Sequence, residues 1–320
     1  MSFQPVSARR APSRRAAWGL LLLLPLLAGC GSKSISALKA QDSLAEAYRA
    51  AQAGTDDKEA RKYADSAIAL APNDPVTYFG NLDPNAPQLG VAPVFAAVGD
   101  DAAVIDYMTR AIKQFPDDER GYQLLGESQR RQGRTADQKV TAARLVAVLA
   151  KKLQKPGATN IEALTLAQAQ AEFDAGDPAT GAATYQKAIQ AYNGSEPRNG
   201  LAYAYAVTNT HLPEALALAK EALDQAQKVT GLNDDAKAQG IAAVQDTLAW
   251  VQYRMGDTKG AEQNLLDAVG FDPRQPEMRF HLGSVYAAEG KTDAARAELG
   301  HAVLLCPGYA DAEAALKGLK

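Results

Sequence analysis

The chain has 320 residues, of which 47% are hydrophobic and 22% are charged, and its formal net charge is −3. This is the composition of an ordinary folded protein, and its slight acidity excludes the basic field by which proteins attract nucleic acid. Only two cysteines are present, so a fold that rests on a framework of disulfides is also excluded.

The N-terminus predicts an export signal. Four arginines between residues 9 and 15 precede an apolar run at 16–27, which ends in Leu27-Ala28-Gly29-Cys30. This order is typical of a signal peptide, and its ending resembles the lipobox of bacterial lipoproteins. The resemblance implies cleavage of residues 1–29 and attachment of lipid, such as palmitate, to Cys30. A plain secretory signal or a short membrane anchor stays open, although the run is shorter than the ~20 residues of a spanning helix.

The mature chain is expected to reach a membrane through its lipid. Without the signal, 30 basic side chains stand against 37 acidic ones, so charge would not draw the chain to an anionic surface. Residues 30–36 form a short tether. Gly31 is not the aspartate associated with inner-membrane retention in Gram-negative lipoproteins. That resemblance implies the periplasmic face of the outer membrane, in the bacterial cell envelope, and leaves the inner membrane open.

A first helical hairpin is predicted at 41–74. The run SLAEAYRAAQAG has the propensity and the periodicity of a helix. Ala60 and Ala67 share one face of a second helix, and Pro72 ends it because proline donates no backbone N–H.

Residues 75–93 interrupt the helical pattern. Pro84, Pro87 and Pro93, together with two glycines, exclude a regular helix over most of this stretch. Two interpretations stay open: a long loop that packs Tyr78 and Phe79 back on the helices, or a binding feature with exposed aromatic rings.

Helical hairpins are predicted again at 85–118 and 119–152, followed by a linker at 153–161. The segment RRQGR at residues 130–134, with Lys139 nearby, is locally basic. It is interpreted either as a solvated helix face or as a patch for an anionic partner. Two further hairpins are predicted at 162–195 and 196–229, and residues 230–241 are predicted to be an insertion.

One sequence pattern occurs twice near the C-terminus. Leucine, glycine, alanine and proline positions of 242–275 recur 34 residues later in 276–309, and Leu282, Gly283 and Tyr286 share a helix face there. This pattern resembles the tetratricopeptide repeat (TPR), a helix–turn–helix unit. The resemblance implies an all-α, TPR-like right-handed superhelix over residues 37–320, an α-solenoid of about six to seven helical hairpins with a closing helix at 311–320.

A search for chemistry favours no enzyme. Three histidines, His211, His281 and His301, lack metal-ligand spacing, so structural roles are predicted, and no metal or cofactor is expected. Gly290-Lys291-Thr292 imitates the end of a phosphate loop, but its first glycine is missing. Cys306 is expected to be a buried, unreactive thiol.

The TPR resemblance also implies a binding groove along the first helices of the repeats. Its frame predicts that the groove for a peptide or partner is lined by Gln170, Phe173, Asp246, Trp250, Tyr253, Arg254, Phe280 and Ser284. Aromatic rings beside an arginine are the composition of a binding hot spot. Whether Trp250 faces this groove or packs as core between helices stays open.

These expectations predict a lipid-anchored scaffold for protein–protein interactions in the cell envelope. By resemblance, the supported process is assembly or export of exopolysaccharide, a pilus or secretin, or outer-membrane machinery. An alternative is an adaptor that recruits or regulates a periplasmic cell-wall hydrolase or protease. The partners are therefore expected to be envelope proteins and, through Cys30, the membrane, without nucleic acid or a small-molecule substrate.

Overall fold

A computed structural model describes residues 35–54, 57–81, 88–231 and 234–319. The predicted signal peptide and Cys30 lie outside the described residues. The described part of the chain from Ile35 onward forms one unit, and its helices, in chain order, are α1 (Ile35–Ala53), α2 (Asp57–Leu70), α3 (Pro75–Phe79), α4 (Val91–Ala96), α5 (Asp101–Gln114), α6 (Glu119–Arg131), α7 (Thr135–Leu153), α8 (Ile161–Ala175), α9 (Pro178–Tyr192), α10 (Ser195–Thr208), α11 (Leu212–Lys228), α12 (Asp234–Arg254), α13 (Thr258–Phe271), α14 (Pro276–Ala288), α15 (Thr292–Leu305) and α16 (Ala310–Gly318).

The helices pack as successive hairpins. Each helix contacts mainly its neighbours in sequence, and the hairpins are α1/α2, α4/α5, α6/α7, α8/α9, α10/α11, α12/α13 and α14/α15. The short α3 lies between the first two hairpins, and α16 follows the last. The predicted all-α, TPR-like solenoid is confirmed by this order.

Several hairpins turn through the same pair of residues, a glycine followed by an aspartate. Gly256 has a φ of 87°, a left-handed conformation that glycine adopts without steric cost. The next residue, Asp257, caps α13, because its carboxylate accepts a hydrogen bond from the Gly260 N–H at 3.0 Å. Asp100 and Asp177 cap α5 and α9 in the same way.

Small residues let the two helices of a hairpin approach closely. In α15, Ala295, Leu299 and Ala302 are fully buried on one face. Gly283 of α14 lies against Leu299, so that a Cβ at position 283 would be 2.7 Å from Leu299 Cγ and 3.1 Å from its backbone nitrogen. The sequence position that carries the TPR resemblance is thus one where the helix backbones leave no room for a side chain.

The variant Gly283→Ala is expected to lose about 1–3 kcal/mol of unfolding free energy, because an inserted methyl forces packed neighbours to shift. Gly300→Ala is the matched control, since Gly300 lies in the adjacent helix α15 and a Cβ there meets nothing within 4 Å. The control should gain about 0.5–1 kcal/mol from helix propensity. Urea titrations followed by helical circular dichroism measure both, and equal effects of the two changes would contradict the close approach.

Residues 75–93 pack back on the helices. Tyr78 and Phe79 are each 5% exposed, and both rings meet the Phe115 ring edge-on at centroid distances of 5.3 and 5.9 Å. Tyr78 and Phe79 therefore pack against the helices, as in the first of the two interpretations, and are not exposed aromatic rings. Residues 82–87 lie outside the described part.

The predicted insertion at 230–241 is wrong from Asp234 onward. Helix α12 begins there, and its added residues continue the helix that the C-terminal pattern placed from 242. Four alanines in DDAKAQGIAA favour helix, and Gly240 costs only about 1 kcal/mol relative to alanine. Helix propensity therefore explains why α12 begins at Asp234, although the 34-residue periodicity suggested a break before residue 242.

The last repeat returns to the first third of the array. Cys306 Sγ lies 3.2 Å from Asp101 Oδ2, and Gln132 Nε2 donates a hydrogen bond to the Pro307 carbonyl at 3.1 Å. These contacts join residues at the start of α5 and the end of α6 to the turn after α15. Helices α5 to α16 therefore form a closed ring within the described chain.

Ion pairs reinforce this junction. Arg131 holds the fully buried Asp101 carboxylate with two hydrogen bonds, from Nε at 2.8 Å and from Nη2 at 2.5 Å. Arg130 pairs with Glu277 of α14 at 3.3 Å. We call Asp101, Arg130, Arg131, Glu277 and Cys306 the clasp, because they connect α5 and α6 with α14 and the end of α15.

The clasp corrects the interpretation of the basic segment. Arg131 is only 14% exposed and Arg130 is partly buried, so neither is a solvated charge or a free patch for an anionic partner. Arg134 and Lys139 are exposed. Glu127, one helical turn before Arg131, pairs with it at 2.5 Å, but Asp101 and Glu277 come from distant parts of the chain, which local charge could not reveal.

A candidate binding cavity inside the ring

The ring encloses a cavity of about 1160 Å³. Its walls come mainly from the first helices α6, α8, α10, α12 and α14 and from α16, with further residues from α3, α4 and the second helix α7. This arrangement follows from the hairpins, since the second helices bury their alanine faces against the first helices and leave the opposite faces of the first helices turned inward. The cavity therefore presents the side chains of at least six helices to one space.

Most of the predicted groove residues meet in this cavity. The wall contains Gln170, Phe173, Trp250, Tyr253, Arg254, Phe280 and Ser284. Asp246 is not in the wall. It is 8% exposed and lies behind the surface, 2.8 Å from His281 Nδ1.

Aromatic rings form a continuous cluster on one side of the cavity. Trp250 stacks on Tyr253 and on His281 with centroid distances of 4.9 and 4.1 Å. Phe280 lies 5.9 Å from Trp250 and 5.4 Å from Tyr309. We call Trp250, Tyr253, Phe280, His281 and Tyr309 the aromatic cluster, and it gives the cavity a broad apolar wall with polar edges.

Trp250 belongs both to the hydrophobic core and to the cavity wall. It is 8% exposed, and it packs in the same buried cluster as Leu248 and Val251. Its neighbours Tyr253 and Phe280 are partly exposed. A ligand would therefore touch these two rings over a larger area, while Trp250 supports them from below.

His281 has a structural role, as predicted. Its residue is 2% exposed, and its Nδ1 forms a hydrogen bond with Asp246 Oδ1 at 2.8 Å. This bond fixes the imidazole plane on which Trp250 stacks. No group of three or more metal-ligating side chains occurs among the described residues.

The charges on the cavity wall differ in how they are compensated. Arg120 is paired with Asp118 at 2.7 Å and Arg130 with Glu277. Arg254 has no carboxylate partner among the described residues, and its guanidinium lies 5.9 Å from the centroid of the Trp250 ring. Arg254 can therefore bind an anion without first breaking an existing ion pair.

Two other polar groups on the wall are strongly affected by burial. Burial raises the pKa of Asp174, although Gln170 donates a hydrogen bond to its carboxylate at 3.1 Å and Gln138 donates another. Burial also raises the pKa of Tyr203 to about 12, so its phenol stays neutral.

Cys306 has the inert character that the sequence predicted. It is 2% exposed, and burial together with the neighbouring Asp101 carboxylate raises the pKa of its thiol to about 12. No feature of the sequence indicates that neighbour. Tyr203, Tyr309 and the clasp were also missed, because ring closure brings them to the cavity and no short motif records it.

The comparisons with known proteins agree on the repeat. The tetratricopeptide repeat family matches residues 276–309, which are α14, its turn and α15. This match and the order of the hairpins support assignment to the TPR family. None of the curated proteins matches it.

One solved structure shares the fold of this chain, and two others are reported with it. A tetratricopeptide repeat protein from Parabacteroides merdae has a TM-score of 0.50 at 12% identity, and the match covers 88% of this chain and 98% of that one. Yeast Tom70 has a TM-score of 0.49 at 15% identity, covering 86% and 54%, and Cut9–Hcn1 of the APC/C has 0.47 at 13%, covering 80% and 45%. This chain spans about half the length of those last two, and the likeness concerns the fold alone.

TPR proteins are typically scaffolds that bind other proteins and do not catalyse reactions. The cavity agrees with that role, since its wall offers apolar rings and one available cation. None of the described helices has the combination of length and apolar character that crossing a bilayer requires.

Proposed function

We propose that this TPR protein is a lipid-anchored scaffold of the bacterial cell envelope, which binds a segment of a partner protein inside the ring during assembly or export of an envelope structure. The observation that carries the proposal is the aromatic cluster beside Arg254 on the cavity wall. Buried aromatic rings and arginine dominate the energetics of protein interfaces. Exopolysaccharide, pilus or secretin, and outer-membrane machinery are the candidate processes.

The proposed anchor is the lipid on Cys30, on the periplasmic face of the outer membrane. At the start of α1, close to this cysteine in sequence, Ile35 and Leu38 are 73% and 53% exposed. Exposed apolar side chains near an acylated residue can rest on the lipid headgroups and strengthen membrane binding. They support an array whose first helix lies at the membrane and whose cavity is formed by later helices.

Photo-crosslinking of the lipidated full-length chain tests the proposal. A photoreactive residue replaces Tyr253 on the cavity wall, and the control carries it in place of Arg296, which lies on a second helix outside the cavity wall. We expect one envelope protein to be crosslinked in membranes from position 253 and not from position 296.

The identity of the crosslinked protein distinguishes the alternatives. A secretin, a barrel-assembly protein or a polysaccharide-export protein supports the scaffold, whereas a cell-wall hydrolase or protease would replace it with the adaptor. Crosslinking that is equal at the two positions, or absent from both, would contradict binding in the cavity.

A further inference from the structure

The ring closes at a seam between residues that are far apart in the chain. On one side lie the start of α5, the end of α6 and the turns beside them, and on the other lie Glu277 of α14 and residues 305–310 after α15. Gln132 Nε2 donates a hydrogen bond to the Pro307 carbonyl at 3.1 Å. Gly99 packs so closely that a Cβ there would lie 2.2 Å from the Leu305 carbonyl oxygen. We call the contacts between these two sides the seam.

The seam differs from the junctions between successive hairpins, because no apolar core crosses it. Among the described residues, the buried apolar clusters follow the chain from hairpin to hairpin. One cluster runs from Ala40 to Leu125, for example, and another from Ala302 to Ala312. None of the clusters has members on both sides of the seam. Since apolar burial is the main force between packed helices, the seam is the junction that should separate at the lowest cost.

The ion pairs of the clasp are arranged so that opening leaves no buried charge unpaired. Asp101 and Arg131 lie on the same side of the seam, so the fully buried Asp101 carboxylate keeps its guanidinium when the two sides part. The ion pairs that connect the two sides both end on Glu277, which lies 3.3 Å from Arg130 and 3.7 Å from Arg131. The Glu277 side chain is already 20% exposed, so water can solvate its carboxylate once the sides separate.

We propose that the ring is a gate, which opens at the seam into an arc and is held closed by Glu277. The opening consists of small rotations at the junctions between hairpins, whose apolar clusters stay packed. The closed ring and the open arc are two states of the folded chain, and their ratio sets how often the inside of the ring is reached from the side. This inference goes beyond the proposed function, since both states exist in the chain without a partner.

Distances across the seam test the gate in the purified full-length chain. Spin-labelled unnatural amino acids replace Arg134, just after α6, and Leu304, near the end of α15, because both side chains are exposed and lie outside the clasp. Pulsed electron spin resonance then gives the populations of short and long distances. We expect the short distance of the closed ring to dominate in the unmodified chain. Glu277→Gln should raise the ratio of open to closed chains about tenfold, since charged contacts to two arginines are lost.

The matched control is Glu298→Gln. Glu298 is 18% exposed and pairs with Arg279 at 2.6 Å, but both residues lie within the last hairpin, so their ion pair does not cross the seam. The control should leave the ratio of open to closed chains unchanged, although it also removes a partly buried carboxylate from an arginine. An equal shift in both variants would show that general loosening of the last hairpin sets the ratio, and the proposal would fail.

Salt and a crosslink test the same latch without changing its charge. Sodium chloride at about 1 M shortens the Debye length to about 3 Å, so it should raise the open fraction of the unmodified chain and change that of Glu277→Gln much less. The oxidised double variant Gly133→Cys, Ala310→Cys joins the two sides where their Cβ atoms would lie 2.9 Å apart, and it should keep the short distance in salt. A distance distribution that neither Glu277→Gln nor salt changes would show a rigid ring and overturn the gate.

Discussion

Replacing Arg131 by methionine is expected to remove about 3–5 kcal/mol from the free energy of unfolding. The change leaves the Asp101 carboxylate, whose side chain is fully buried, without the guanidinium that donates two hydrogen bonds to it. Arg134→Met is the matched control, because Arg134 is about half exposed in its pair with Asp137 and should contribute less than about 1 kcal/mol. Urea titrations at pH 7 compare the two variants.

The same variant has a predicted pH dependence. Burial raises the pKa of Asp101, but the hydrogen bond and charge of Arg131, with hydrogen bonds from Ser128 and Cys306, bring it below its ordinary value. A lowered pKa gives stability that is present above the unfolded-state pKa and is lost as pH falls through the folded-state value.

In Arg131→Met the burial acts without the guanidinium, so the folded-state pKa of Asp101 should rise. The stability difference from the unmodified chain should therefore be largest at pH 7. It should shrink as pH falls through the raised pKa of the variant, and then vanish below the lowered folded-state pKa of the unmodified chain, where the carboxyl is neutral in every state. A small difference that does not change with pH would contradict a buried ion pair at the clasp.

Trp250→Ala is expected to cost about 3–5 kcal/mol of stability and to abolish binding in the cavity. The indole is 8% exposed and supports Tyr253 and His281 by stacking, so its loss leaves a void beneath the wall. The control is Phe271→Ala, since Phe271 is 55% exposed at the end of α13 and should cost much less. Circular dichroism in urea measures both variants.

A substitution at Tyr253, the ring that stacks on Trp250, separates the effect on binding from the effect on stability. Tyr253 is partly exposed on the cavity wall, so Tyr253→Ala should keep most of the stability. It should still weaken a peptide selected for the cavity by about 2 kcal/mol, or roughly 30-fold, as hot-spot residues do. Unchanged affinity of both Trp250→Ala and Tyr253→Ala would exclude the aromatic cluster from the interface.

The sequence predicted what depends on local periodicity. Helices α14 and α15 follow from the spacing of small and apolar residues, and the inward face of the first helices follows from the same frame. Gln170, Tyr253 and Phe280 were therefore assigned to the groove, and they lie together on the cavity wall. Each of these statements concerns positions within one 34-residue unit.

The features that the sequence missed depend on contacts between distant units. Asp101 and Cys306 are 205 positions apart, and Arg130 and Glu277 are 147 apart, so no pattern of one repeat pairs them. Asp246 was assigned to the groove because of its position in the helix, but a histidine of the next first helix holds it behind the wall. Asp246 thus lies outside the cavity wall because of its contact with His281, which its position in the helix could not reveal.

Closure of the ring is the claim on which the cavity and the proposed binding of a partner segment depend. A disulfide across the clasp region measures it directly: a Cβ at Gly133 would lie 2.9 Å from the Cβ of Ala310, and a shift of about 1 Å gives the ~3.8 Å separation of a disulfide. The double variant Gly133→Cys, Ala310→Cys should form an intramolecular disulfide under mild oxidation, seen as faster migration on a non-reducing gel and loss of two free thiols, while neither single variant does so. Free thiols or disulfide-linked dimers in the folded double variant would contradict a closed ring.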